Sequence, residues 1–397
     1  MHAAENLFQR GVGMLEPGDP ERPSLLLGHA ESLTFLGKFD TAKAVLDQCD
    51  AATANDTDPR LRAQARLFRL FLGQYQGGAG DWSNEAERCA KELLSVLQPV
   101  DAHLELSMVW RLLMMVHGLA MRFTLASEAA EQALHHARAA GSKRHIAKIG
   151  GFLASVAPLS AVAVSDAIEQ CVALIGDDLA DRQVECFVRC ALAQLQSMDG
   201  DLETARATYR KSRDLLRDLG QGVYAASSAL DLALVEMRGG DLAMAEAEVR
   251  ADYAFLEQAG ETFFLSTMAA LLAKMVRDQG RDSEALELTV TAEAKCSDDD
   301  TLTQALWRSV RAPIVARSGD HEAAERLVRE AMELLKETEA PGFRAEAHFE
   351  LAQVLRLAGR PGEAVDAVEV AQSLFSAKGD RYWAARADSL RRELVGF

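Results

Sequence analysis

The sequence predicts an all-α fold, a right-handed α-solenoid of antiparallel helix pairs with elongated repeats of about 40 residues. Three observations carry that reading. A short beat recurs: Ala193, Ala233, Ala273, Ala312 and Ala352 each stand seven positions before a turn glycine, and Ala205, Ala245, Ala285, Ala324 and Ala364 follow five positions after it. The glycines Gly200, Gly240, Gly280, Gly319 and Gly359 are 40, 40, 39 and 40 residues apart. Small residues let two helix backbones approach, and glycine admits a left-handed turn between them. The same offsets return near the beginning, at Ala30, Gly37 and Ala42. Composition agrees: with 49% hydrophobic residues, 26% charged and nine prolines in 397, long helical runs stay uninterrupted.

Taken in order, a first helix with Leu7, Phe8, Val12 and Leu15 as apolar contacts is stopped by the proline-rich 15–23. A lone helix before the first pair reads as a cap or as the second half of an earlier repeat. The first pair is 24–36 with 40–51, followed by 60–75 and 85–97, entered through a capping run at 55–59 and separated by a turn over 76–81. A pair over 102–122 and 125–139 turns without glycine. Residues 143–156 and 165–175 follow, then 179–198. From there the alternation is regular: 202–219, 223–238, 242–259, 262–279 and 283–295.

Asp298, Asp299 and Asp300 read as a cap for the next helix rather than as a metal site, because adjacent carboxylates have immediate use at a helix entrance. Within 302–318, Pro313 is expected to bend the helix or split off its final turn. Helices over 322–338, 343–358, 361–377 and 381–394 complete the chain. The expected organisation is one superhelical array over 1–397. It comprises an N-terminal helix and loop over 1–24, divergent repeats over 25–178, regular repeats over 179–377 and a capping helix over 381–397.

A net charge of -17, from 60 acidic and 43 basic side chains, argues against nucleic acid as a partner. Apolar runs such as 112–116 are too short to span a bilayer, and the beginning lacks the basic and apolar regions of a signal peptide, so neither membrane nor export is expected and the location is read as cytoplasmic. The six cysteines are scattered, and Cys186 with Cys190 read as buried thiols. Catalytic, cofactor and metal residues are all read as none: no phosphate-binding glycine loop, no activated serine or cysteine and no metal-ligand spacing is present.

With Leu272, Ala273, Val276, Gly280, Ala285 and Ala292 in one unit, and Leu351, Ala352, Leu355, Gly359, Ala364 and Ala371 in another, the chain resembles a tetratricopeptide repeat array. It departs from that pattern at Glu236, Asp252 and Ser212. The stretch from Gly239-Gly240-Asp241 through Gln279-Gly280-Arg281 to Gln304-Ala305-Leu306-Trp307-Arg308 is similar to the C-terminal repeat region of bacterial proteins that combine a class III nucleotide cyclase, an ATPase module and such repeats, and to arrays in large LuxR-type regulators. The resemblance implies a noncatalytic scaffold in bacterial signalling that binds a protein or peptide partner, including a cyclase or ATPase module. Two alternatives stay open: a sensor of a small molecule or short peptide, and a repeat fragment of a transcription regulator.

First helices are expected to line the concave side. The candidate partner-binding residues there are Trp110, Arg111, Tyr224, Asp231, Lys274, Trp307, Arg308, Arg311, Arg344 and His348, since aromatic and arginine side chains combine contact area with directional donors. For the aromatic ones, packing between helices is the competing role. Arg308 and Arg311 stand three apart and could meet one groove carboxylate, or neighbouring acids of the same chain. A homodimer through 112–116 or the N-terminal face is a further option.

Overall fold

The computed structural model describes residues 1–54, 58–76, 82–176, 181–239 and 241–396, and the regular elements among them are helical. The helices are α1 (His2–Met14), α2 (Arg22–Phe35), α3 (Phe39–Thr53), α4 (Pro59–Gln76), α5 (Trp82–Leu97), α6 (His103–Leu119) and α7 (Phe123–Ala139). Next come α8 (Lys143–Val156), α9 (Val164–Gly176), α10 (Arg182–Asp199), α11 (Leu202–Asp218), α12 (Gly222–Ser227), α13 (Ala229–Gly239) and α14 (Leu242–Ala259). The last are α15 (Phe263–Asp278), α16 (Asp282–Lys295), α17 (Thr301–Arg317), α18 (His321–Leu335), α19 (Pro341–Leu357), α20 (Pro361–Lys378) and α21 (Arg381–Val395). Neighbours pack as antiparallel pairs from α2/α3 to α19/α20, with α1 against α2 and α21 against α20. This is the repeat solenoid that the alanine-glycine beat predicts.

The beat works as its chemistry requires. Ala193, Ala205, Ala312 and Ala324 are completely buried where the two helices of a pair touch. Gly200 and Gly319 turn the chain at φ 98° and 99°, which a side chain at Cβ disfavours. Gly240 and the turn positions 55–57, 77–81 and 177–180 lie outside the described residues. In the pair without glycine, Met121 takes the left-handed role at φ 52°, held by burial of its side chain and by the Glu339 amide, which donates to its carbonyl at 2.9 Å. The departures at Glu236, Ser212 and Asp252 are satisfied too. Arg206 clamps the buried Glu236 at 2.6 Å and 2.7 Å, the Ser212 hydroxyl donates to the Cys186 carbonyl at 2.8 Å, and Arg213 pairs with Asp252 at 2.5 Å.

Four expectations need correction. The helix expected over 223–238 is two helices broken at Ser228. The Ala225 carbonyl there accepts from the buried Arg213 guanidinium at 3.0 Å and from the Ser228 hydroxyl at 2.7 Å, which displaces the regular backbone bond. Pro313 does not split off a final turn, because α17 runs unbroken to Arg317. The helix expected from 179 begins at Arg182, where Asp181 caps it by accepting from the Gln183 amide at 3.0 Å. Asp300 caps α17 as expected, accepting from the Thr303 amide at 3.0 Å. The apolar run offered as a dimer contact belongs to the core, with Leu112, Met114 and Val116 buried.

The solenoid winds back on itself. Thr262 donates its amide to the Tyr75 carbonyl at 2.8 Å, tying α15 to α4. The Lys378 ammonium donates to the Ala157 and Val162 carbonyls at 2.9 Å and 2.6 Å, and Arg238 pairs with Asp380 at 2.7 Å. One hydrophobic cluster therefore reaches from Leu26 in α2 to Ile314 in α17. First helices of distant repeats face each other across the interior.

Candidate functional site

Counting back in sequence from each turn position, the recurring glycine or Met121, sorts the side chains of the first helices. Six positions before it stand Glu31, Gln194 and Lys274; nine before it, Asp231; thirteen before it, Phe187 and Glu346; sixteen before it, Tyr224 and Phe264. These offsets fall on one face of a helix. Arg111, ten before Met121, lies beside that face. Arg308 and Arg311, eleven and eight before Gly319, lie on the other side.

Inward residues of α2, α4, α10, α12 and α15, with Phe39 at the start of α3, meet in an aromatic cluster. Tyr224 contacts Phe187 with ring centroids 4.8 Å apart and Phe35 at 5.4 Å, while Tyr75 contacts Phe39 at 5.9 Å and Phe264 at 6.1 Å. The Tyr75 and Tyr224 hydroxyls share one hydrogen bond of 2.7 Å, a bridge between residues 149 apart in sequence. Edge-to-face and tilted ring pairs of this kind are worth about 0.5–1.5 kcal/mol each beyond burial.

Beside the cluster lies a charged group. Glu31 accepts from Lys148 at 2.8 Å and from Arg144 at 2.9 Å. Burial would raise the Glu31 carboxyl, yet the Lys148 and Arg144 charges overcome it and hold it at about 2. Burial, with Arg111 and Lys148 near, lowers His145 to about 4, so its ring is neutral at physiological pH, its Nδ1 2.8 Å from the Ser142 hydroxyl. Arg111 projects from α6 with its guanidinium 4.3 Å above the Phe71 ring. Its Nε is sealed from solvent and meets no acceptor. Burial lowers its proton affinity, opposed by Tyr224, Glu31 and Tyr75 within electrostatic range. Every cation beside it has a carboxylate; Arg111 has none among the described residues.

The other sequence candidates separate. Asp231 accepts from Gln194 at 2.5 Å, and burial pushes its carboxyl up to about 6. Lys274 pairs with Glu346 and sits 4.8 Å above the Trp383 ring, beside a cavity of about 50 Å³ also lined by Lys378 and Asp380. Trp307 is core, 3% exposed, with the Arg308 and Arg311 guanidinium groups 4.1 Å and 4.2 Å from its ring. Those arginines turn to acids of second helices, Arg308 to Glu330 at 3.2 Å and Arg311 to Glu293 at 2.7 Å, so the groove-carboxylate reading is replaced by internal pairing. Trp110 packs half-buried against the cluster of Met114 and Ile149. Arg344 is exposed, and His348 is half-buried with its Nδ1 unpartnered.

The sequence offered Arg111 and Tyr224 as candidates, and it did not offer Glu31, Tyr75, Arg144, His145 and Lys148, which the structure places near them. The six-residue offset shared by Glu31 and Lys274 was the available signal. The pairing of Glu31 with residues 113 and 117 positions away follows from the winding of the array. Among the described residues, no group of three or more His, Cys, Asp or Glu could hold a metal ion. All six cysteines are free, and burial pushes Cys186 up to about 12 and Cys171 up to about 11. No helix among the described residues is long and apolar enough to cross a membrane.

Residues 187–211 and 345–369 match the tetratricopeptide repeat family. The search of curated proteins found no match. Among solved structures, a Rap protein complexed with competence and sporulation factor is similar over 95% of this chain and 99% of that one, with TM-score 0.61 and 14% identity. The apo form of RapI covers 94% of this chain and 98% of its own at TM-score 0.46 and 10% identity. A STAND protein with a tetratricopeptide repeat sensor from Pyrococcus horikoshii covers 95% of this chain and 55% of its own at TM-score 0.47 and 12% identity. At 14% identity the likeness to the Rap protein is one of fold, and the fold is a tetratricopeptide-like helical array.

Proposed function

We propose that this chain is a noncatalytic interaction array that takes a peptide segment of a partner on the inner wall formed by α2, α4, α6, α8, α12 and α15. The observation that carries the reading is Arg111. Its Nε is desolvated without an acceptor, which opposes folding, and its guanidinium stacks on Phe71 beside the face where first helices converge. Aromatic side chains and arginine are the residue types that anchor such interfaces. The Rap protein of similar fold was crystallised with a bound factor, which is consistent with ligand capture by an array of this kind. Attachment to a cyclase or ATPase module in bacterial signalling, within the cytoplasm, is the finer form of the proposal, and it rests on the sequence resemblance alone.

Affinity capture of partner peptides by the full chain tests it, comparing Tyr224→Ala with the double variant Arg308→Glu and Arg311→Glu. Binding on the inner wall is weakened by the first and unchanged by the second. The reverse pattern would place the partner on the other side of the array and reject the reading. A second reading, a small-molecule sensor, is favoured by the cavity beside Lys274, Lys378 and Trp383. A retained small ligand lost on Trp383→Ala would support it.

A further inference from the structure

The geometry points to a carboxylate-binding site at Arg111, in which the carboxylate of a short peptide is received by the Arg111 guanidinium and a phenolic O–H of the Tyr75–Tyr224 pair. The inference rests on the inner-wall reading and adds the chemistry of the ligand. Three independent features of the site support it.

The first is the unmet donor. A guanidinium carries five N–H groups in a planar fork, and only an acceptor with two oxygens in one plane satisfies two of them in parallel. The Arg111 Nε is sealed and unpartnered, while its flat face is occupied by the Phe71 ring at 4.3 Å. With one face stacked on Phe71, the edge of the fork is the side on which a carboxylate meets the N–H groups. The second is the phenol pair. Two hydroxyls joined by one hydrogen bond of 2.7 Å use one of their two hydrogens, and no other acceptor meets either hydroxyl among the described residues. One O–H is left to donate.

The third is the charge around the site. Arg144 and Lys148 share the Glu31 carboxylate, at 2.9 Å and 2.8 Å, which orients both of them while leaving their group positive. His145 is neutral, as described above. Arg111, Arg144 and Lys148 against the single Glu31 carboxylate leave a net positive charge at this point of the wall, in a chain that carries -17 overall. An acidic group is excluded from most of the surface by that charge and has a defined place here. Tyr75 and Tyr224 come from α4 and α12, so a ligand seated here touches two distant parts of the winding and binds where the array closes on itself.

The test uses the full chain and pools of random pentapeptides, with retained peptides identified by mass spectrometry. One pool has free C-termini and lacks Asp and Glu; a second is C-terminally amidated and contains them; a third is amidated and lacks them. Retention of the first or second pool over the third by about ten-fold or more is expected, and which of the two is retained identifies a terminal or a side-chain carboxylate. Arg111→Gln abolishes the preference without lowering the melting temperature, and Arg111→Lys, which keeps the charge but not the fork, keeps part of it. Equal retention of all three pools, unchanged in Arg111→Gln, overturns the carboxylate site and leaves the inner wall as the binding face. Retention of none overturns both.

Discussion

The Arg111 Nε is sealed from water with no acceptor, which opposes folding, beside the inner face of α6. Neighbouring ionisable groups show what the fold does elsewhere. Glu31 is paired and held at about 2, so its contribution to stability is present above its unfolded value of 4.5 and is lost as pH falls from there toward 2. Glu261 is the opposite case: buried at the start of α15, it caps the Phe264 and Leu265 amides at 3.0 Å each, and burial raises its carboxyl to about 7, against those bonds. The folded state therefore binds a proton that the unfolded state releases near 4.5, and stability contributed by the neutral acid is lost as pH rises through 7. Glu261→Gln is expected to remove a stability loss on the order of 3 kcal/mol across that interval. Urea midpoints measured along the pH range check it, and an unchanged slope in the variant would assign the pH dependence elsewhere.

At the scale of elements, the break between α12 and α13 shows how one side chain redirects a helix. Arg213 on α11 is buried and reaches the Ala225 carbonyl and the Tyr209 hydroxyl at 3.0 Å each, while it pairs with Glu248 at 2.7 Å and Asp252 at 2.5 Å. Arg213→Met leaves the half-buried Asp252 without its partner and is expected to cost about 2–4 kcal/mol, read from the urea midpoint at constant slope. A loss below about 1 kcal/mol would show that the pair is worth no more than a surface bridge. The helix pairs themselves were legible because alanine and glycine report backbone approach directly. The break was not, since 223–238 contains no glycine or proline and the disturbing arginine lies on another helix. Met121 illustrates the same limit: nothing in its residue type announces a left-handed turn, and the conformation is held by burial and by the Glu339 amide from a distant repeat.

For the whole molecule, closure of the winding is what turns a list of first-helix residues into a site. Periodicity placed Arg111 and Tyr224 on first helices, but it is blind to which repeats meet after the array coils, so Glu31, Tyr75, Arg144 and Lys148 were not joined to them. It also offered Arg308 and Arg311 as groove residues, where the turn-based offset now puts them on the side of Glu330 and Glu293. The central claim is that the inner wall around Arg111 receives the ligand. Hydrogen exchange of the full chain, with and without a peptide retained in the pools, measures this most directly. Slowed exchange concentrated in α4, α6, α8, α12 and the start of α15 is the predicted result, whereas protection confined to second helices such as α16 and α18 would contradict it.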